Sequence, residues 1–175
     1  VTRVITPGTM MEGKWLSDKE NNYMVAIAQA EGSMGVAACD MSTGEMYVTS
    51  LIGRREAALD EAMQYHPKEL VLSGWAGELK SDVPVTYIED TELDGLAVDR
   101  QYGNDARELD LAMRKAVNTL LHYIGVTQKR SLSHMLLIKR YDAKQYLQMD
   151  GFSRRNLELT ETIRDKSKKG SLLWL

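Results

Sequence analysis

Three strand-like segments separated by nothing longer than a tight turn constrain this chain more than any other feature. Asn22 to Gln29, Met34 to Met41 and Glu45 to Ile52 are rich in Val, Ile, Tyr, Met and Ala, with turns at Glu31-Gly32-Ser33 and Ser42-Thr43-Gly44. Connections this short bring each strand beside its sequence neighbour, so the segment is expected to fold as a meander. Arg54 to His66 then carries Ala58, Leu59, Ala62 and Met63 at helical spacing, and Pro67 closes the helix. Two shorter strand candidates follow, Glu69 to Leu72 and Pro84 to Ile88, separated by a polar, glycine-bearing stretch from Gly74 to Asp82. Hairpin-linked strands followed by strand and helix units give a mixed sheet with helices packed on it, an α/β architecture.

The chain changes character at Gly103. Before it lie 8 Lys and Arg against 17 Asp and Glu, net −9; after it lie 14 against 8, net +6. A basic half fits nucleic acid, because cations that neutralise phosphates release counterions, and it fits a solvated helical surface as well. From Asp105 to Ile124 the apolar residues Ala106, Leu109, Met113, Ala116, Val117, Leu120, Leu121 and Ile124 recur at three and four. Glu108 stands three residues after Asp105 and Gly125 follows the run, so one helix of about 20 residues is expected, starting at Asp105 and ending at Gly125. Leu136 to Tyr141 and Gln145 to Met149 read as extended, and Ser153 to Lys166 as helical.

Composition removes several classes of function. The longest apolar runs are five residues or shorter, as in Met24 to Ala28, far from the roughly 20 needed to cross a bilayer. Cys39 is the only cysteine, which excludes an internal disulfide and a Cys-based zinc site, and Val1-Thr2-Arg3-Val4 has neither a cationic nor an apolar leader region, so a secretory signal is expected to be absent or already removed. The expected location is the cytoplasm. A chain beginning at Val1 and closing on the apolar run Ser171-Leu172-Leu173-Trp174-Leu175 is expected to be a piece of a longer protein, with faces around Leu157, Leu159 and Leu172 lacking partners. No G-x-x-x-x-G-K-[ST] loop and no G-x-G-x-x-G occurs, and His66, His122 and His134 form no H-E-x-x-H pair.

Two groups of residues merit weighing. Asp40 sits at the end of a strand beside a glycine turn, where a carboxylate can hold Mg²⁺, but no spacing identifies the further carboxylates a nuclease needs. The simpler expectation is that Asp40 accepts hydrogen bonds from the turn, with Cys39 beside it a small core residue. Arg164, Lys166, Lys168 and Lys169 follow a helix, where cations complement the C-terminal dipole, whereas Arg154 and Arg155 lie in its first turn, where they do not. Arg154, Arg155, Lys166, Lys168 and Lys169 are therefore the candidates for a DNA or interdomain contact.

Several segments together resemble the MutS family of DNA mismatch repair proteins. They are Val4-Ile5-Thr6-Pro7-Gly8-Thr9, Asn21-Asn22-Tyr23, Asp40-Met41-Ser42-Thr43-Gly44-Glu45, Thr127-Gln128-Lys129, Ser153-Arg154-Arg155-Asn156-Leu157-Glu158-Leu159-Thr160-Glu161-Thr162 and Lys168-Lys169-Gly170-Ser171-Leu172-Leu173-Trp174. They stand in the family's order, and Ser153 replaces the more frequent Thr. The resemblance implies a connector domain over residues 1–103, with a ribonuclease H-like α/β fold that lacks nuclease activity. It implies the beginning of the helical core, or lever, domain over residues 104–175.

The family's mismatch-reading Phe-x-Glu motif is absent, since the only phenylalanine is Phe152 in Phe-Ser-Arg. The family's ATPase domain with its Walker motifs is absent too, so the resemblance implies a non-catalytic chain without a cofactor, ATP and Mg²⁺ belonging to the full-length protein. Its implied partners are MutL and the other domains of MutS, with the MutS homodimer and mismatched double-stranded DNA as partners of the full-length protein; no membrane is implied. No family motif fixes the residues that contact MutL. Two alternatives stay open: weak non-specific DNA binding through the basic half, and a ribonuclease H-like nuclease using Asp40.

Overall fold

The meander forms as its turns dictate. Strand β1 (Tyr23–Ala30) reverses into β2 (Ser33–Asp40) through Glu31 and Gly32, both at positive φ (47° and 76°), the backbone twist that suits a two-residue hairpin. Strand β3 (Glu45–Ile52) follows, paired with β2 from Ser33↔Ile52 to Cys39↔Met46. Helix α1 (Arg55–Met63) then carries the chain back across the sheet to β4 (Glu69–Ser73), which lies parallel to β1, and β5 (Val85–Ile88) adds parallel to β4. Past a short helix α2 (Ala97–Tyr102) and a long one, α3 (Leu111–Gln128), strand β6 (Leu137–Arg140) pairs parallel to β3. The sheet order is β5-β4-β1-β2-β3-β6, and only β2 runs against its neighbours. The computed structural model describes residues 22–53, 55–128 and 137–143, which belong to a compact unit ending at Ala143; residues 144–175 form a second unit outside the described residues.

Strand alternation divides the core in two. Met24, Ala26 and Ala28 of β1, Ala37 and Cys39 of β2, Met46 and Val48 of β3 and Val71 of β4 face α3. Val25, Ile27, Met34, Val36, Ala38, Leu51, Leu70 and Leu72 face α1, which meets them with Ala58 and Ala62. Both faces are covered, so β1 reads as an unbroken buried run from Met24 to Ala28. Helix α3 supplies Met113, Ala116, Val117, Leu120 and Ile124 at three- and four-residue spacing, each buried against the sheet.

Three expectations need correction. The long helix starts at Leu111, not Asp105, because Leu109 turns extended (ψ 130°) to bury its side chain and breaks the helical path. Asp105–Glu108 is a separate 3-10 turn, and Asp110 caps α3 by accepting the Met113 N–H at 2.8 Å. Gly125 does not terminate the helix, which runs on to Gln128. The division expected at residue 103 is not a domain boundary, since α3 and β6 both complete the sheet's own unit. Without α3, the face made by Met24, Ala26, Ala37 and Val71 would be bare. The extended segment at 145–149 and the helix at 153–166 fall outside the described residues.

Among the described glycines, the one with least room for a side chain is Gly35 of β2. A methyl group there would lie 1.9 Å from the carbonyl oxygen of Ala112, so the first turn of α3 rests on a strand position that admits no side chain. A Cβ at Gly125 would meet nothing within 4 Å. Gly35→Ala is accordingly expected to lower stability by about 1–3 kcal/mol through overpacking. Gly125→Ala, inside a helix, is expected to raise it by about 0.5–1 kcal/mol. Urea denaturation of the two variants in parallel reads both signs.

Candidate interaction surface

Two of the segments quoted for the family resemblance meet at one end of the sheet. Tyr23 pairs with Asp40, and the Met41 N–H donates to the Asn22 carbonyl at 3.0 Å. Asp40 is buried, and its Oδ1 accepts the Ser42 N–H at 2.8 Å and the Ser42 hydroxyl at 2.5 Å, while its carbonyl accepts the Gly44 N–H at 2.8 Å. Its carboxylate thus shapes the β2–β3 turn, as the simpler reading held. Cys39 is a buried core residue, and burial, helped by the neighbouring Asp40 charge, pushes its thiol up to about 12, so it stays a neutral thiol. Among the described residues no group of three or more His, Cys, Asp and Glu side chains could hold a metal ion. Arg154, Arg155, Lys166, Lys168 and Lys169 lie outside the described residues.

The charge change at Gly103 becomes a seam in three dimensions. Lys115 of α3 reaches Asp90 with its Nζ at 2.5 Å from Oδ2 and also donates to the Gln29 carbonyl at 2.9 Å; Ser73 donates to the other Asp90 oxygen at 2.6 Å. Arg114 pairs with Asp99 and donates to the Ala106 carbonyl at 2.8 Å. Lys139 of β6 lies 2.8 Å from Glu45. In each pair a cation from beyond residue 103 meets a carboxylate from before it. Nearby, Asn118 Nδ2 donates to the Asp94 carbonyl at 2.8 Å, and Asp94 pairs with Arg100 at the edge of a groove of about 240 Å³ between α2 and α3.

A second polar contact lies inside the fold. Glu69 pairs with Met24 and so points to the α3 face, where it is buried. It accepts the Tyr123 hydroxyl at 2.5 Å and the Thr86 hydroxyl at 3.1 Å, which ties α3 to β4 and β5. Glu69, Asp90, Lys115 and Tyr123 were not singled out in the sequence. Glu69 alone carried a signal, as a carboxylate opening the otherwise apolar run Leu70-Val71-Leu72 after Pro67.

With these cations engaged, the described residues carry 18 Asp and Glu against 9 Lys and Arg, net −9. Their surface is anionic. Residues 22–135 match the family model for MutS domain II. The chain belongs to the MutS family. It is 73% identical over 175 residues to the DNA mismatch repair protein MutS of Brevibacillus brevis, 42% over 183 to that of Geobacillus kaustophilus and 38% over 184 to that of Clostridium tetani. All of this chain is covered in each case, against 20 to 21% of the relative, so it spans about a fifth of the curated relatives' length. MutS domain II is thus a mixed α/β sheet with helices on both faces, and no helix among its described residues is long and apolar enough to cross a membrane.

The turn reading of Asp40 sets one expectation. Asp40→Ala removes the acceptor of two hydrogen bonds and is expected to cost about 1–3 kcal/mol, whereas Asp40→Asn keeps an oxygen there and should cost less than about 1 kcal/mol. Millimolar Mg²⁺ should leave the melting temperature of the parent and of both variants unmoved in scanning calorimetry. The seam sets another. The hydrogen bonds from Lys115 and then Ser73 hold the Asp90 carboxyl below the ordinary aspartate range. A carboxyl depressed by folding lends stability above its unfolded value and loses it as pH falls through the folded one. Asp90→Asn is expected to flatten the stability curve below about pH 4, as followed by urea denaturation at stepped pH.

Proposed function

We propose that this chain is a non-catalytic module of DNA mismatch repair, a connector within MutS that offers a protein-docking surface to MutL. The observation that carries the reading is the net −9 body matching MutS domain II, whose cations Arg114, Lys115 and Lys139 are drawn into pairs within the fold. An anionic surface repels the phosphate backbone and favours a cationic protein partner, since complementary fields speed encounter and fix orientation more than they deepen affinity. The strand order β5-β4-β1-β2-β3 with β2 alone reversed supports a ribonuclease H-like fold. The role of Asp40 in its turn supports the absence of nuclease chemistry.

In this reading residues 144–175 open the helical core domain, where Arg154, Arg155, Lys166, Lys168 and Lys169 contact DNA or neighbouring domains. ATP, Mg²⁺, mismatched duplex DNA and the homodimer belong to the full-length cytoplasmic protein. A second reading, weak non-specific DNA binding, rests on the residues outside the described set, which carry net +6.

The test is a titration of this chain against the N-terminal domain of a cognate MutL at low and moderate salt, beside a duplex DNA and a Mg²⁺-dependent nuclease assay. Saturable MutL binding that weakens with salt is the expected result. Absence of MutL binding at both salts removes the docking surface. Binding to duplex DNA alone, falling with a log-log slope near −0.9 per phosphate contact, favours the second reading. Nuclease turnover abolished by Asp40→Asn overturns the non-catalytic assignment.

A further inference from the structure

Strand β6 is the more exposed of the sheet's two edge strands, the other being β5. Its four residues pair only with Glu45–Val48 of β3, and of them only Ile138 is drawn toward the core, half-buried, while Leu137, Lys139 and Arg140 are exposed. The pairing is parallel, slightly the weaker kind per residue. The segment is fastened by side-chain hydrogen bonds and charge, and by packing of Ile138 on the α3 face and of Tyr141 and Ala143 on the α1 face. Lys139 Nζ lies 2.8 Å from Glu45 Oε1 and 5.3 Å from the Tyr47 ring centre, and the Tyr47 hydroxyl donates to the other Glu45 oxygen at 2.8 Å. Tyr141 donates its backbone N–H to the Val48 carbonyl at 3.1 Å and its hydroxyl to Glu61 of α1 at 2.7 Å. Arg140 reaches the Glu108 carbonyl at 3.4 Å, and Ala143 tucks in among the residues on the α1 face.

The sheet beneath does not depend on this segment. Strand β3 keeps seven paired positions with β2, and Met46 and Val48 belong to the α3-side core, where the Tyr102 hydroxyl contacts the Met46 sulfur at 3.7 Å. We propose that residues 137–143 are a detachable strap, which leaves and rejoins β3 as a unit while the other five strands stay paired, with Lys139–Glu45–Tyr47 and Tyr141–Glu61 as its clasps. The Lys139–Glu45 pair is partly solvated, and such pairs are weak and screened by salt; with only Ile138 of the four strand residues drawn toward the core, the strap is the edge of the sheet poised to open first, and Tyr141–Glu61 is its part-buried clasp. Because the chain enters the second unit at Lys144, release of its seven residues frees about 23 Å of extended chain, at roughly 3.3 Å per residue. The strap makes the link to the following unit adjustable in length, a property separate from the MutL reading.

The experiment is residue-resolved amide hydrogen exchange by NMR on the whole chain, in the parent and in Lys139→Met and Tyr141→Phe. The expected result is exchange at the position 141 amide at least ten-fold faster than at the slowest β1 and β2 amides. It should rise a further several-fold in each variant and in added salt, with β1 and β2 unchanged. Exchange at position 141 as slow as in β1 and β2 overturns the proposal, because the segment then opens only with the whole sheet. Fast exchange that neither variant alters overturns the clasps. Equal loss of protection across all strands in the variants overturns the independence of the strap.

Discussion

The close approach of α3 to β2 at Gly35 is the constraint on which the rest of the structure depends. A helix whose Ala112 carbonyl lies where the Cβ of any other residue would be has its distance from the sheet fixed at that point. From there the apolar positions of α3 fall into place, with Met113, Ala116 and Val117 followed by Leu120 and Ile124 over the α3 face. Two polar contacts then hold the helix in rotation and register: the Asp110 cap at its start and the Tyr123–Glu69–Thr86 cluster near its end. Hydrophobic burial is non-directional, so it draws the helix down without choosing among rotations. A buried carboxylate with two specific donors does choose, since any slippage would leave it without partners.

The same helix decides what the unequal charge of the chain means. As a sequence, the chain joins an acidic half to a basic one, which invites the picture of a protein domain followed by a nucleic-acid-binding one. In the fold, Arg114 and Lys115 emerge from the edge of α3 directly onto Asp99 and Asp90, and Lys139 arrives beside Glu45. Three basic residues of the second half therefore serve as counter-charges for the first. These pairs are partly solvated and add little stability individually. Their larger effect is on the outer field, because pairing spends cations that would otherwise offset the remaining carboxylates on the surface.

The legible parts of the fold were those governed by local periodicity. The three meander strands fell within one or two residues of expectation because their apolar, β-forming runs are long and the turns between them carry Gly32 and Gly44 at positive φ. Helix α1 and strands β4 and β5 were visible for similar reasons. Helix α2 escaped because six residues, Ala97–Tyr102, are too few to show a period. The start of α3 escaped because Leu109 and Ala106 fit its apolar spacing while being buried through a separate turn, so periodicity ran on through a real break in the backbone. The place of β6 could not be read at all: its strand character is local, but its partner lies 92 residues earlier in the register Leu137↔Glu45. The domain division failed for the same physical reason, since composition reports surface charge whereas a domain is defined by which residues share a core.

Asp40-Met41-Ser42-Thr43-Gly44-Glu45, one of the segments that carry the family likeness, has its side chains engaged within the fold. Its first residue closes the β2–β3 turn from inside, through hydrogen bonds to Ser42, and Thr43 accepts the Glu45 N–H at 3.2 Å. Its last residue then projects from the first position of β3, where it receives both Tyr47 and Lys139. Turn geometry thereby places the carboxylate that meets β6. A carboxylate held by its own turn has little freedom to bind a metal, whereas one at the solvated edge of a strand is well placed to grip and release a cation. The two carboxylates of this motif thus stand in different settings: Asp40 is buried and held within its turn, and Glu45 lies at the strand edge, where it meets Lys139.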